Sequence, residues 1–352
     1  MKKTLKIKKW QLTRYTARDL EADLSQADCV TVGTRAMRGG EMERVILPQG
    51  ISTVKAEAMR DCRRLRSVVL PQEKSVGISV GAFRDCVRLR EVENFHGVVA
   101  IGARAFENCV LLSELPFGKS LRRVGEHAFR GCLSLEEVTL PASVESLGRG
   151  VFRDCTELSS VMMDDATAAS GEELFRGCFS LREIHIPKAW TQIPRGAFRD
   201  CTALHAVKVP KNATRIENNA FRGCRRLESV GLELGVIKIG AHAFEDTPAL
   251  REMFIPHSLK ALGRGAFGTG KRAPEDRVRL TVENEYMARR LRRLLFFCGS
   301  YRTACVEVTG KSIEERKRER RRSALDQTPT HQGLEPISPT ACNFRVLRRI
   351  SP

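Results

Sequence analysis

Eight cysteines, Cys62, Cys86, Cys109, Cys132, Cys155, Cys178, Cys201 and Cys224, recur every 23 or 24 residues. Thiols in so regular a series raise two chemistries, metal ligation and disulfide pairing. Neither suits this pattern. Zinc needs four ligands converging on one point, and the chain has no C-x-x-C pair. One thiol per repeat makes a line, and equivalent side chains on adjacent repeats point the same way, which disfavours bridge geometry. The series therefore reads as a column of small buried side chains. Cys29, Cys298, Cys305 and Cys342 fall outside the register. Gly263, Gly265 and Gly268 match G-x-G-x-x-G, but no strand–helix unit precedes them and they echo Gly148 and Gly150 of an earlier repeat. His185 and His205 come with no placed carboxylate or nucleophile. No catalytic, cofactor or metal site is expected.

The element that positions these residues is a repeat. Phe83, Phe106, Phe129, Phe152, Phe175, Phe198, Phe221, Phe244 and Phe267 are each 23 apart, and Met59 and Met37 hold the same slot earlier. A period kept this strictly means a stack of equivalent turns. Counted from the Phe, Cys is at +3 and Leu at +6, as in Leu89, Leu112, Leu135 and Leu158. Aliphatics follow at +9 and +11, as in Val138 and Leu140, and often Pro at +12, as in Pro141, Pro210 and Pro256. The L-x-x-V-x-L spacing predicts a short strand with one face buried, stopped by proline. A second aliphatic stands five before the next Phe, as in Val124, Leu147 and Ile216, often followed by Gly. The x-x-A-F segment is expected to make one short helical turn.

This pattern resembles the BspA-like leucine-rich repeats, carried by Ala82-Phe83…Cys86…Leu89, Ala105-Phe106…Cys109…Leu112 and their equivalents to Ala243-Phe244…Leu250. The resemblance implies a right-handed repeat solenoid with a parallel β-sheet on its concave face and short helical turns or irregular structure outside. It also implies protein binding or adhesion, commonly at bacterial or protist surfaces. Four segments are expected: an N-terminal cap at 1–29, a solenoid of about ten turns at 30–268, a capping strand and basic amphipathic helix at 269–310, and a basic, disordered tail at 311–352. Within 1–29, Thr16 to Leu24 reads as a short helix capped at Thr16. Val278 to Val282 reads as a last strand, and Met287, Leu291, Leu294 and Leu295 follow helical spacing among Arg289, Arg290, Arg292 and Arg293. Such a helix closes the solenoid end or meets a membrane surface or acidic groove.

Specificity must come from positions that the core leaves free. Position +1 is Arg in Arg38, Arg60, Arg84, Arg130, Arg153, Arg176, Arg199 and Arg222, interrupted by Glu107 and Glu245. This column reads either as a solvated face, answered by Asp at +2, or as an anion-binding ridge. Position +8 should point outward from the strand and holds Glu91, Glu114, Glu137, Glu183 and Glu252, with Arg90, Arg182 and Arg251 beside them at +7. A mixed face with an acidic stripe suits a basic or mixed protein partner. The turn after Phe152 departs from the rule: Ser170 replaces an aliphatic, and Asp164, Asp165, Glu172 and Glu173 gather there.

The net charge is +18, and half of it lies in 269–352, which has 19 Lys and Arg against 10 Asp and Glu. Arg316, Lys317, Arg318, Arg320, Arg321 and Arg322 read as a candidate localisation signal or nucleic-acid contact. Met1 to Trp10 begins basic but lacks the apolar run of an export signal, so an intracellular location, cytoplasmic or nuclear, is expected. No stretch is apolar for long enough to span a membrane. The sequence thus points to a monomeric, non-enzymatic adaptor or scaffold binding a protein on its curved repeat face. The alternatives are a nucleic-acid-associated protein using the Arg column and tail, and a surface-exposed adhesin.

Overall fold

The computed structural model describes residues 4–8, 11–16, 20–72, 75–167, 171–268 and 276–308. The tail at 311–352, with Arg316 to Arg322, and Ser170 lie outside the described residues. The rest forms a parallel-strand β-solenoid with one α-helix of 13 residues, Glu285–Phe297, among the described residues.

Each turn contributes to two strand ladders. The longer is built by the second aliphatic. It begins with the antiparallel hairpin Thr4–Lys8 and Gln11–Thr16 and continues in parallel through Thr31–Val32, Thr53–Val54, Val76–Ile78, Val98–Ile101, Arg123–Val124 and Ser146–Leu147. It resumes as Gln192–Ile193, Arg215–Ile216, Lys238–Ile239 and Ala261–Leu262. The L-x-x-V-x-L segments make the second ladder, parallel as expected. This ladder comes in pieces: four strands from Glu21–Asp23 to Glu91–Glu93, then pairs at 137–163 and 206–232, then three strands ending at Ala304–Val308. One gap has a plain cause. Pro116 stands where Glu93 and Thr139 stand one turn to either side, and proline has no N–H to give the ladder.

Two local expectations change. The helix expected from Thr16 to Leu24 is not found among the described residues: Gln11–Thr16 and Glu21–Asp23 are strands. Ala22 and Leu24 are buried while Glu21 and Asp23 are exposed, a two-residue period that outweighs the capping signal at Thr16. Nor does the x-x-A-F segment form a helix. It is a hydrogen-bonded turn with left-handed residues at −2 and +2, such as Arg104 (φ 56°) and Asn108 (φ 61°) around Phe106. A left-handed residue at each end stops helix propagation. The +2 slot is accordingly Gly, Asp or Asn in every turn from Gly39 to Asp246, the residue types that reach this conformation at least cost. The Asp residues at +2 are therefore required by the turn first and available to the arginines second.

Inside, the Phe rings from Phe83 to Phe267 stack face to face, 5.1 to 5.8 Å between centroids and within 12° of parallel. All nine are fully buried. Each contributes roughly 1.5–3 kcal/mol by burial and about 0.5–1.5 kcal/mol more per stacked pair. Each Phe N–H from Phe83 to Phe244 donates to the carbonyl before the next anchor, as Phe106 N to Ala128 O at 2.8 Å. Each cysteine thiol donates to the carbonyl of the preceding anchor, from Cys62 to Met37 O at 3.0 Å through Cys224 to Phe198 O at 3.0 Å. The column reading of the thiols holds: the eleven described cysteines are free, and the eight in register are buried.

The irregular turn has its own core. Trp190 is fully buried, and its counterparts one turn to either side are the small Thr167 and Ala213, also fully buried, where Leu121, Val144 and Val236 stand elsewhere. One large side chain between two small ones keeps the column at interior density.

The C-terminal end is a closure. Phe267 has no following turn to receive its N–H, and Ser300 Oγ accepts it at 3.2 Å. The helix Glu285–Phe297 is capped by Asn284, whose side chain accepts from Met287 N. It buries Met287, Ala288, Leu291 and Leu295. Val278–Val282 is a strand as expected, and Ala304–Val308 adds one more rung beyond it.

Candidate functional site: the strand face and the arginine column

The arginine column lies beside the Phe turn, and the structure threads carboxylates through it. Arg60 meets Glu57 at 3.0 Å and Asp61 at 3.5 Å. Arg84 meets Glu107 at 3.0 Å, and Arg130 meets the other oxygen of Glu107 at 3.5 Å. Arg153 meets Glu173 at 3.0 Å, Arg176 meets it at 3.4 Å, and Arg199 meets Asp200 at 3.3 Å. Arg222 meets Glu245 at 3.0 Å. Glu107 and Glu245, which look like interruptions of the column in sequence, are its counter-charges. The Glu107 side chain is only 6% exposed. Glu173, at a left-handed −2 position (φ 55°), receives Arg149, Arg153 and Arg176, and these arginines hold its carboxyl below the usual range against the opposing effect of burial. Glu57 does the same for Arg35, Arg38 and Arg60, and the hydrogen bond from Arg35 leads in lowering its pKa. Every arginine of the column thus has a carboxylate within ion-pair distance.

The strand face differs. Glu91, Glu114, Glu137, Glu183 and Glu252 are all exposed, and among the described residues none of them makes an ion pair. Arg90 and Arg182 beside them are exposed and likewise make no ion pair, whereas Arg251 is held by Asp276. Burial alternates along these strands, as in Glu137–Leu140, so +8 points outward as the spacing predicts. The stripe is not a continuous row. Ser160, Ala206 and Ser229 occupy the +8 slot in intervening turns, and Glu114 sits in the ladder gap made by Pro116. Glu91, Glu114 and Glu137, on three successive turns, are its densest part.

The irregular turn adds a feature that sequence spacing did not reveal. Asp165 accepts from His185 Nε2 at 2.7 Å and pairs with Lys188. The hydrogen bond from Lys188, then that from His185, draws the Asp165 carboxyl down to about 2. Asp164 is exposed and serves its own loop, accepting from Ala166 N at 2.9 Å. Glu172 is exposed, next in sequence to Glu173, which the column arginines surround. The four acidic residues thus divide between two places. A clue was available: Asp165 and Lys188 are 23 apart, which is one turn.

A family model described as BspA type leucine-rich repeat region matches residues 30–159, 76–205 and 191–273, in six copies, and so takes in well over half the chain. The chain belongs to the BspA-type leucine-rich repeat family. Among solved structures, this BspA-type chain is similar to a leucine-rich repeat protein from Bacteroides ovatus, 17% identical, over 87% of this chain and 98% of that one, with a TM-score of 0.50. It is also similar to a leucine rich cell surface protein from Faecalibacterium prausnitzii, 19% identical, over 92% of this chain and 94% of that one, with a TM-score of 0.44. The comparison with curated proteins found no match. The Bacteroides likeness shows the leucine-rich repeat fold. No helix among the described residues is long and apolar enough to cross a membrane.

Proposed function

We propose that this BspA-type repeat protein is a non-enzymatic binding module that takes a protein partner on its strand face, as an adaptor or scaffold. One observation carries the reading: Glu91, Glu114, Glu137, Glu183 and Glu252 are exposed without an ion pair among the described residues, while every arginine of the neighbouring column is matched by carboxylate. Charge already answered within the molecule has little left for a ligand, and unanswered charge on an exposed face can set a partner's orientation and on-rate. The partner that fits is a protein surface with basic side chains facing Glu91, Glu114 and Glu137 and an acidic group near Arg90 or Arg182. For the same reason a nucleic acid finds little free charge along the column.

The test is charge reversal. Glu91, Glu114, Glu137 and Glu183 changed together to Lys should weaken partner capture at least about tenfold. Arg130→Gln with Arg199→Gln should leave it unchanged. The same set of captured proteins from the Glu-reversed chain would refute the reading.

A further inference from the structure

The outer face of the C-terminal helix does not look like a plain cap. A terminal cap normally presents a polar outer surface. Here Tyr286 is 75% exposed, Phe296 64% and Phe297 84%. Phe296 touches Phe297 edge-on at 5.9 Å and Tyr301 at 5.7 Å, and the Arg302 guanidinium lies over the Tyr301 ring. The helix carries Arg289, Arg290, Arg292 and Arg293 against a single carboxylate, Glu285, which meets Arg292 at 2.8 Å and Arg289 at 3.9 Å. Arg290 and Arg293 make no ion pair among the described residues.

Helical spacing puts Tyr286, Arg290, Arg293 and Phe297 on one stripe. The stripe faces away from the buried one of Met287, Ala288, Leu291 and Leu295. Its two aromatic ends are about 16 Å apart along the axis, with the two unpaired arginines between them. We infer that this helix docks the solenoid end onto an anionic lipid surface, the aromatic rings entering the headgroup boundary and the arginines meeting lipid phosphate and carboxylate groups.

Three features favour a bilayer over other occupants. The patch is cationic, which selects an anionic partner. Its anchors are mostly Phe, which has no polar group to satisfy and gains most from an acyl boundary. The stripe is straight and spans most of the helix, as a flat surface requires. Single-stranded nucleic acid would want open ring faces for stacking, whereas Phe296 is occupied by ring contacts with Phe297 and Tyr301.

Vesicle flotation of the full chain tests this, with phosphatidylcholine vesicles containing phosphatidylserine against phosphatidylcholine alone. The chain should float with the anionic vesicles and lose that partition as salt rises. Phe296→Ser with Phe297→Ser should weaken it at least roughly tenfold. Arg290→Gln with Arg293→Gln should weaken it by roughly 30-fold. All four positions lie on the outward side of the helix, so circular dichroism and the urea midpoint should not move. No flotation of the wild type overturns the inference. So does flotation that both variants retain in full, which would assign it elsewhere in the chain. Single-stranded nucleic-acid binding that the Phe variant loses, with vesicle binding intact, would replace the lipid with a nucleic acid.

Discussion

Raising the pH should unfold this protein through its cysteine column. Burial pushes the thiols of Cys86, Cys109, Cys132, Cys155, Cys178, Cys201 and Cys224 well above their ordinary value near 9. All seven are fully buried, so a thiolate there has no water to solvate it. In the unfolded chain the same groups ionise near their ordinary value. The folded state then holds protons that the unfolded state gives up. Stability is therefore complete below about pH 9 and falls as pH rises beyond it. Each thiol costs about 1.4 kcal/mol per pH unit once the unfolded group is ionised. Seven together cost about 10 kcal/mol by pH 10, as much as the whole stability of many domains. The assay is the urea midpoint from pH 7 to pH 10, followed by tryptophan emission, since Trp190 is fully buried in the solenoid core. The midpoint should hold to about pH 8.5 and then collapse within about one unit. Changing Cys109, Cys155 and Cys201 to Ala should lower the starting stability and flatten the alkaline limb by about three protons. A midpoint level to pH 10, or an alkaline limb unchanged in that variant, would refute the argument.

Other perturbations follow from the same packing. Phe175→Ala should cost about 3–5 kcal/mol in urea unfolding, because the ring is fully buried between Phe152 and Phe198. Glu107→Arg, which restores the column's commonest residue, should instead destabilise by about 2 kcal/mol, and molar salt should recover much of the loss; equal stability at low salt would mean the column needs no internal counter-charge. Gly131→Ala should cost about 1–2 kcal/mol, since Gly131 has φ 72° and an added Cβ would stand 2.7 Å from Asn108 Oδ1.

The period of the chain made the fold legible. Phe, Cys and Leu at fixed offsets are core requirements, and all three recur in each turn from Phe83 to Phe221. Outward-pointing Glu at +8 was legible for the same reason, because strand alternation dictates it. What the sequence did not disclose is which charges are spent. Glu107 reads in sequence as a lapse in an arginine series, whereas in the fold Arg84 and Arg130 share it. Asp at +2 looked like a reply to arginine, although the left-handed turn selects it together with Asn and Gly. Glu173 lies at −2, where spacing alone gives no sign that three arginines converge on it. Ladder continuity was hidden too, since one residue, Pro116, opens a gap in a pattern that otherwise repeats.

The central claim is that partners meet the strand face and not the Phe-turn edge. Photo-crosslinking residues placed singly at Thr139 and Met162, exposed on the strand face, and at Arg153 and Arg176, on the column, test it directly. The prediction is one partner adduct formed from Thr139 and Met162 and absent from Arg153 and Arg176. Adducts from the column positions alone would contradict the assignment of the binding face.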